Sequence, residues 1–176
     1  MNKLRNKSLA IIFFFFGCFS IIGQGLLEEK VNTNRQDTLR GSITEERSWW
    51  DLTYYHLDIK VYPDKKYISG SNTVGYKVLE SKKLMQIDLQ EPMKITSVKA
   101  NGKSLKFDRE GNAYFIELKS KQKKNDINYI TINYDGFPKE AKRAPWDGGL
   151  SWTKDDKGNH FIATSCQGLG ASVWWP

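Results

Sequence analysis

The chain has 176 residues, with 27 Lys and Arg against 20 Asp and Glu, a formal excess of seven positive charges, and only two Cys and two His. That length suits one domain of ordinary size, whose core needs no metal or disulfide staple. No H-E-x-x-H pair, no cluster of histidines and no paired catalytic carboxylates occur in it, so the sequence contains no recognisable catalytic set of its own.

Lys3, Arg5 and Lys7 form a basic head in front of the apolar run Leu9 to Ile22, LAIIFFFFGCFSII. At 14 residues the run falls short of the roughly 20 that span a bilayer. Gly23, Gln24 and Gly25 then supply small and polar residues where cleavage would fall, so residues 1–24 read as a secretory signal peptide. The expected location is therefore exported: periplasmic, secreted or on the outer surface. Phe15 to Cys18 loosely matches a lipoprotein box, yet Phe19, Ser20, Ile21 and Ile22 continue the apolar run where a lipidated cysteine is followed by a polar tether. Membrane attachment is expected only if Cys18 is lipidated.

Without Lys3, Arg5 and Lys7 the charge excess falls from seven to four. The densest basic stretch, Lys119 to Lys124, has no interleaved aromatic residue for base stacking and runs into the turn residues Asn125 and Asp126. It reads as a solvated loop, and no nucleic-acid partner is expected. Cys166 is the only cysteine left after signal cleavage, which excludes an intrachain disulfide, and a buried thiol is expected there.

Residues 25–48 are polar, charged and without period, the pattern of a linker or a draped arm. The folded domain is expected over residues 49–176. Tyr55, Leu57, Ile59 and Val61 alternate with His56, Asp58 and Lys60, the period of a strand with one wet face. Ile68 to Leu79 supplies a second strand, in which Gly70 and Gly75 permit a bulge or close packing. Met85, Ile87 and Leu89 mark a third. Ile95 to Ala100 and Ser104 to Phe107 flank Asn101 and Gly102, a strong hairpin signal. Ala113 to Leu118 and Ile127 to Tyr134 are rich in aromatic and β-branched residues, and a last hairpin is expected from Ser151 to Thr164. The pattern predicts an all-β sandwich of about seven or eight antiparallel strands with no helix of ten residues or more.

Six tryptophans invite a glycan-binding reading, because indoles stack on sugar rings; core or interface packing is the competing expectation. His56 and His160 are isolated, without a carboxylate or thiol at ligand spacing, and read as surface residues, so no metal is expected in this chain. Gln167 is singled out by its setting. It follows the strand-like FIATS, precedes Gly168 and Gly170, and its side-chain amide both donates and accepts. On residue chemistry alone, a capping glutamine and a ligand contact are both open.

The order YHLDIKV (Tyr55 to Val61), ISGSNTVGYKV (Ile68 to Val78), IDL (Ile87 to Leu89), WDGG (Trp146 to Gly149) and FIATSCQGLGASVWWP (Phe161 to Pro176) resembles the amino-terminal β domain of zinc aminopeptidases of the aminopeptidase N and leukotriene hydrolase family. The closing segment is the most specific part. The resemblance implies a saddle-like β domain that packs on a thermolysin-like catalytic domain, where two His and a Glu bind zinc. It implies no catalytic and no metal residue in this chain and no cofactor of its own, the zinc belonging to the catalytic domain. By motif position the resemblance implies that Gln167 contacts the amino end or the first side chain of a peptide substrate. Ser165, Ser172 and Val173 depart from residues common in the family, and a glutamine in place of glutamate can hydrogen-bond a substrate amine but brings no charge. Two other readings stand beside this one. The chain is an independent secreted or lipid-anchored binding module for a glycan or protein partner, or a fragment left with an exposed apolar patch around Val173 to Pro176.

Overall fold

The computed structural model describes Thr33–Pro176, which form one compact unit. The expected signal peptide, Cys18 and the first part of the expected arm lie outside the described residues. Two short helices open the unit, α1 at Arg35–Gly41 and α2 at Glu45–Ser48. Asn34 caps α1 through a capping box: its side chain accepts from the Asp37 N–H at 3.1 Å, and the Asp37 carboxylate accepts from the Asn34 N–H at 2.8 Å.

Ten strands follow: β1 (Trp50–Tyr62), β2 (Tyr67–Val78), β3 (Leu84–Asp88), β4 (Lys94–Ala100), β5 (Lys103–Ser104), β6 (Lys106–Glu110), β7 (Ala113–Glu117), β8 (Ile127–Gly136), β9 (Gly149–Lys154) and β10 (His160–Ser165). All the strand pairs are antiparallel. They build a five-stranded sheet in the order β1-β2-β8-β4-β5, a three-stranded sheet β3-β7-β6 and the hairpin β9-β10. The expected all-β architecture is the one observed.

One strand of the excess over seven or eight has a local cause. Asn101 (φ 49°) and Gly102 (φ 74°) turn β4 back onto β5, as the Asn-Gly pair predicted, but the pairing lasts only two residues. Leu105 then buries its side chain, and the chain crosses to the second sheet, so the run expected as one strand serves as two.

The core lies between the two larger sheets. Val74, Tyr76, Val78, Ile130, Ile132, Ile95 and Val98 contribute from one side, and Met85, Ile87, Tyr114 and Ile116 from the other. Trp49 is fully buried at its margin and donates its indole N–H to the Leu84 carbonyl at 2.7 Å. On the other face of the five-stranded sheet Tyr54 and Tyr129 meet edge to face at 6.3 Å. Gly75 makes room for them, since a Cβ there would lie 2.7 Å from the Tyr129 ring and 2.9 Å from the Tyr54 Cβ.

Register places Tyr55, Leu57, Ile59 and Val61 on the same face as Val74, Asn72, Gly70 and Ile68. The core face of β1 is nevertheless open: Tyr55 and Val61 are exposed, and Leu57 and Ile59 are half-buried. β1 is the sheet's edge strand, and the core cluster gathered over β2, β8 and β4 meets it at Trp50 but does not cover Leu57, Ile59 and Val61.

The arm is tied down by one buried side chain. Gln86 faces away from the core, and its amide donates to the Leu39 carbonyl at 2.9 Å and to the Asp88 carboxylate at 3.0 Å, while its oxygen accepts from the Thr44 hydroxyl at 2.8 Å. Arg47 adds an ion pair with Asp88, both half-buried.

Candidate functional site

The closing segment is built outward from β10. At its last residue, the Ser165 hydroxyl lies 2.6 Å from the Asp147 carbonyl and 2.9 Å from that of Pro145. Asp147 organises that loop, accepting the backbone N–H groups of Lys142 at 2.7 Å and Arg143 at 2.8 Å. These two hydrogen bonds hold its carboxyl below the usual carboxylate range. Gly149 then passes so close to the preceding chain that a Cβ would sit 2.5 Å from the Ala141 nitrogen, at a φ of 146° that side chains avoid. Gly148 packs on Leu169 in the same way, with a Cβ there 2.6 Å from Leu169 Cδ1. The two quoted motifs, WDGG and the terminal segment, are thus in contact.

After Ser165 the chain makes a tight turn. The Gly170 N–H donates to the Cys166 carbonyl at 2.9 Å, and Gly168 (φ 66°) and Gly170 (φ 72°) both take the positive φ that glycine allows. The side chain of Gln90, nearly buried, fixes the far limb by donating to the Leu169 carbonyl at 2.7 Å and the Ser172 hydroxyl at 3.0 Å. Its backbone N–H adds a bond to the Ser172 carbonyl at 2.8 Å. Arg40 of α1 bonds the Gly168 carbonyl. Gln167 sits on this anchored turn with its side chain exposed and without a hydrogen bond among the described residues. The amide is free to donate and accept at once.

Cys166 is exposed beside it, not buried as expected. The strand-like approach ends one residue earlier, at Ser165, so the thiol stands in the turn and has no core to enter.

The end of the chain also departs from expectation. Val173 and Pro176 are buried, and Trp174 and Trp175 are half-buried against the core, so no exposed apolar patch forms there. Trp175 meets Tyr55 edge to face at 5.0 Å, and the buried Asn72 side chain donates to the Pro176 carbonyl at 2.6 Å. A groove of about 560 Å³ opens beside them, lined in part by Trp50, Leu52, Tyr55, Leu79 and Trp175, and Gln167 is not among its walls.

The tryptophans pack inward. Trp49 is in the core and Trp50, Trp152, Trp174 and Trp175 are packed against it, which leaves Trp146 exposed alone. His56 and His160 are exposed at separate places, the latter 3.1 Å from the Asp64 carboxylate. Among the described residues no three His, Cys, Asp or Glu side chains converge as metal ligands would. Sequence reasoning missed Gln90, Arg40 and Asn72, the side chains that hold the turn and the terminal segment, because each bonds a backbone carbonyl far away in the chain and leaves no local pattern.

No protein-family model and no curated protein matches the sequence. Solved structures do match the fold. Native leukotriene A4 hydrolase from Saccharomyces cerevisiae aligns with a TM-score of 0.60 and 17% identity over 85% of this chain and 24% of its own. An M1 zinc metallopeptidase mutant from Deinococcus radiodurans, bound to a Tyr-Ser-Ala substrate, aligns with a TM-score of 0.54 and 16% identity over 74% of this chain and 29% of its own. A two-domain M1 zinc metallopeptidase bound to L-tryptophan gives 0.50 and 15%, over 65% and 28%. The chain therefore spans less than a third of the length of these enzymes and shares the fold of that part of them. The fold that the sequence resemblance implied is the fold found.

Proposed function

We propose that this chain is the amino-terminal, non-catalytic β domain of an exported zinc aminopeptidase, where it packs on a catalytic domain and lines the substrate site. The observation that carries the reading is the match of 85% of this chain to only 24% of a leukotriene A4 hydrolase, with the family-like closing segment held as an anchored turn. On that turn Gln167 offers a carbonyl oxygen to the ammonium of a peptide's first residue, or its N–H to a backbone carbonyl. Zinc chemistry belongs to the catalytic domain, and the chain alone hydrolyses nothing.

A polypeptide that joins this domain to its catalytic domain is expected to carry H-E-x-x-H and to release amino-terminal residues from peptides. In it Gln167→Ala raises KM or lowers kcat by about tenfold, the worth of one hydrogen bond to a charged group. Unchanged kinetics would reduce Gln167 to a structural residue. Peptide hydrolysis by this chain alone, purified free of other peptidases, would overturn the whole reading. Export is read from the mass of the mature product: a start at Gln24 or Gly25 supports signal cleavage, and a lipidated Cys18 as first residue replaces it with an anchored protein.

A further inference from the structure

β2 occupies one side of β1, and no described strand or helix runs along the other. At thirteen residues β1 is a long edge, and an open edge is a template for another strand because its outward N–H and C=O groups have only water to bond. The bulge between Leu52 and Tyr54 breaks the regular run, so residues 54–62 are the part an added strand can follow.

The side chains of that part say which strand fits. One face carries Leu57, Ile59 and Val61, apolar and incompletely covered. The other carries Asp58 and Lys60, both exposed, and neither has an ion-pair partner among the described residues.

We propose that β1 pairs antiparallel with β1 of a second copy of this chain, in the register that sets Ile59 opposite its own copy. Asp58 of each copy then faces Lys60 of the other, and Leu57 faces Val61. Opposed residues share a face in an antiparallel pair, so the charges meet on one side and the two apolar strips join on the other. Moving the two-fold axis one residue either way puts Asp58 against Asp58 or Lys60 against Lys60, so the charges themselves select the register. This association is a property of β1 and does not depend on the aminopeptidase reading.

Size exclusion with light scattering on the purified chain is expected to show a concentration-dependent dimer. Asp58→Lys should weaken it by about tenfold, since two attractive cross-strand pairs become repulsive, and adding Lys60→Asp should restore it. Ile59→Lys, which opposes two like charges at the axis, should abolish it. Amide exchange needs no variant: in the wild-type chain the amides of residues 54–62 should slow as concentration rises. A monomer throughout the micromolar range, a dimer indifferent to both charge changes, or β1 exchange independent of concentration would each overturn the proposal.

Discussion

Two buried tyrosines show how little burial alone says about a polar group. The Tyr114 hydroxyl accepts the Ile95 N–H at 3.2 Å, whereas the Tyr134 hydroxyl has no partner among the described residues. Tyr114→Phe should therefore cost about 1 kcal/mol, and Tyr134→Phe should leave stability unchanged or slightly higher, as urea denaturation can measure. Burial pushes the hydroxyl pKa of Tyr134 and of Tyr76 up to about 12, with the Asp58 charge adding to the effect at Tyr134. The folded state keeps these protons while an unfolded tyrosine releases its own near pH ~10. Their contribution is thus fully present below pH ~10 and is lost as the pH rises toward 12, so denaturation midpoints should fall across that window and fall less in Tyr134→Phe. At this scale the sequence singled out Gln167 but not the side chains that hold its turn. A glutamine just ahead of two glycines is visible as a pattern, and a Gln90 whose partners lie about 80 positions away is not.

At the level of elements, single long-range hydrogen bonds decide where irregular segments lie. Gln86→Ala removes three bonds to the arm and its neighbourhood, including the donor to the buried Leu39 carbonyl. It should cost about 1–3 kcal/mol and raise amide exchange through α1 and α2 while the core strands keep their protection. Gln90→Ala should act in the same way on the other irregular segment, accelerating exchange at the Leu169 and Gly170 amides and leaving β2 and β8 unaffected. Strands were more legible than these pieces. Alternation in β1, β2 and β8, and the Asn-Gly turn, are local features of period two and of backbone sterics, so they survive without knowledge of the partner strand. The split at Leu105 and the two helices were not legible. The first depends on which sheet the chain crosses to, and the second on a buried glutamine that becomes an anchor only once β3 is in place.

Over the whole molecule, the domain is a two-sheet sandwich with a hairpin, and it leaves the core face of its first strand open. Sequence alone determined that the chain is all-β and which residues alternate, because both are written in local spacing and residue type. Only the tertiary structure decided that Cys166 is exposed, that Val173 and Pro176 are buried, and that the open apolar surface runs along β1 instead. The physical reason is coverage. A period of two says which residues share a face, and whether that face meets another sheet, a tryptophan or water depends on how far the second layer extends.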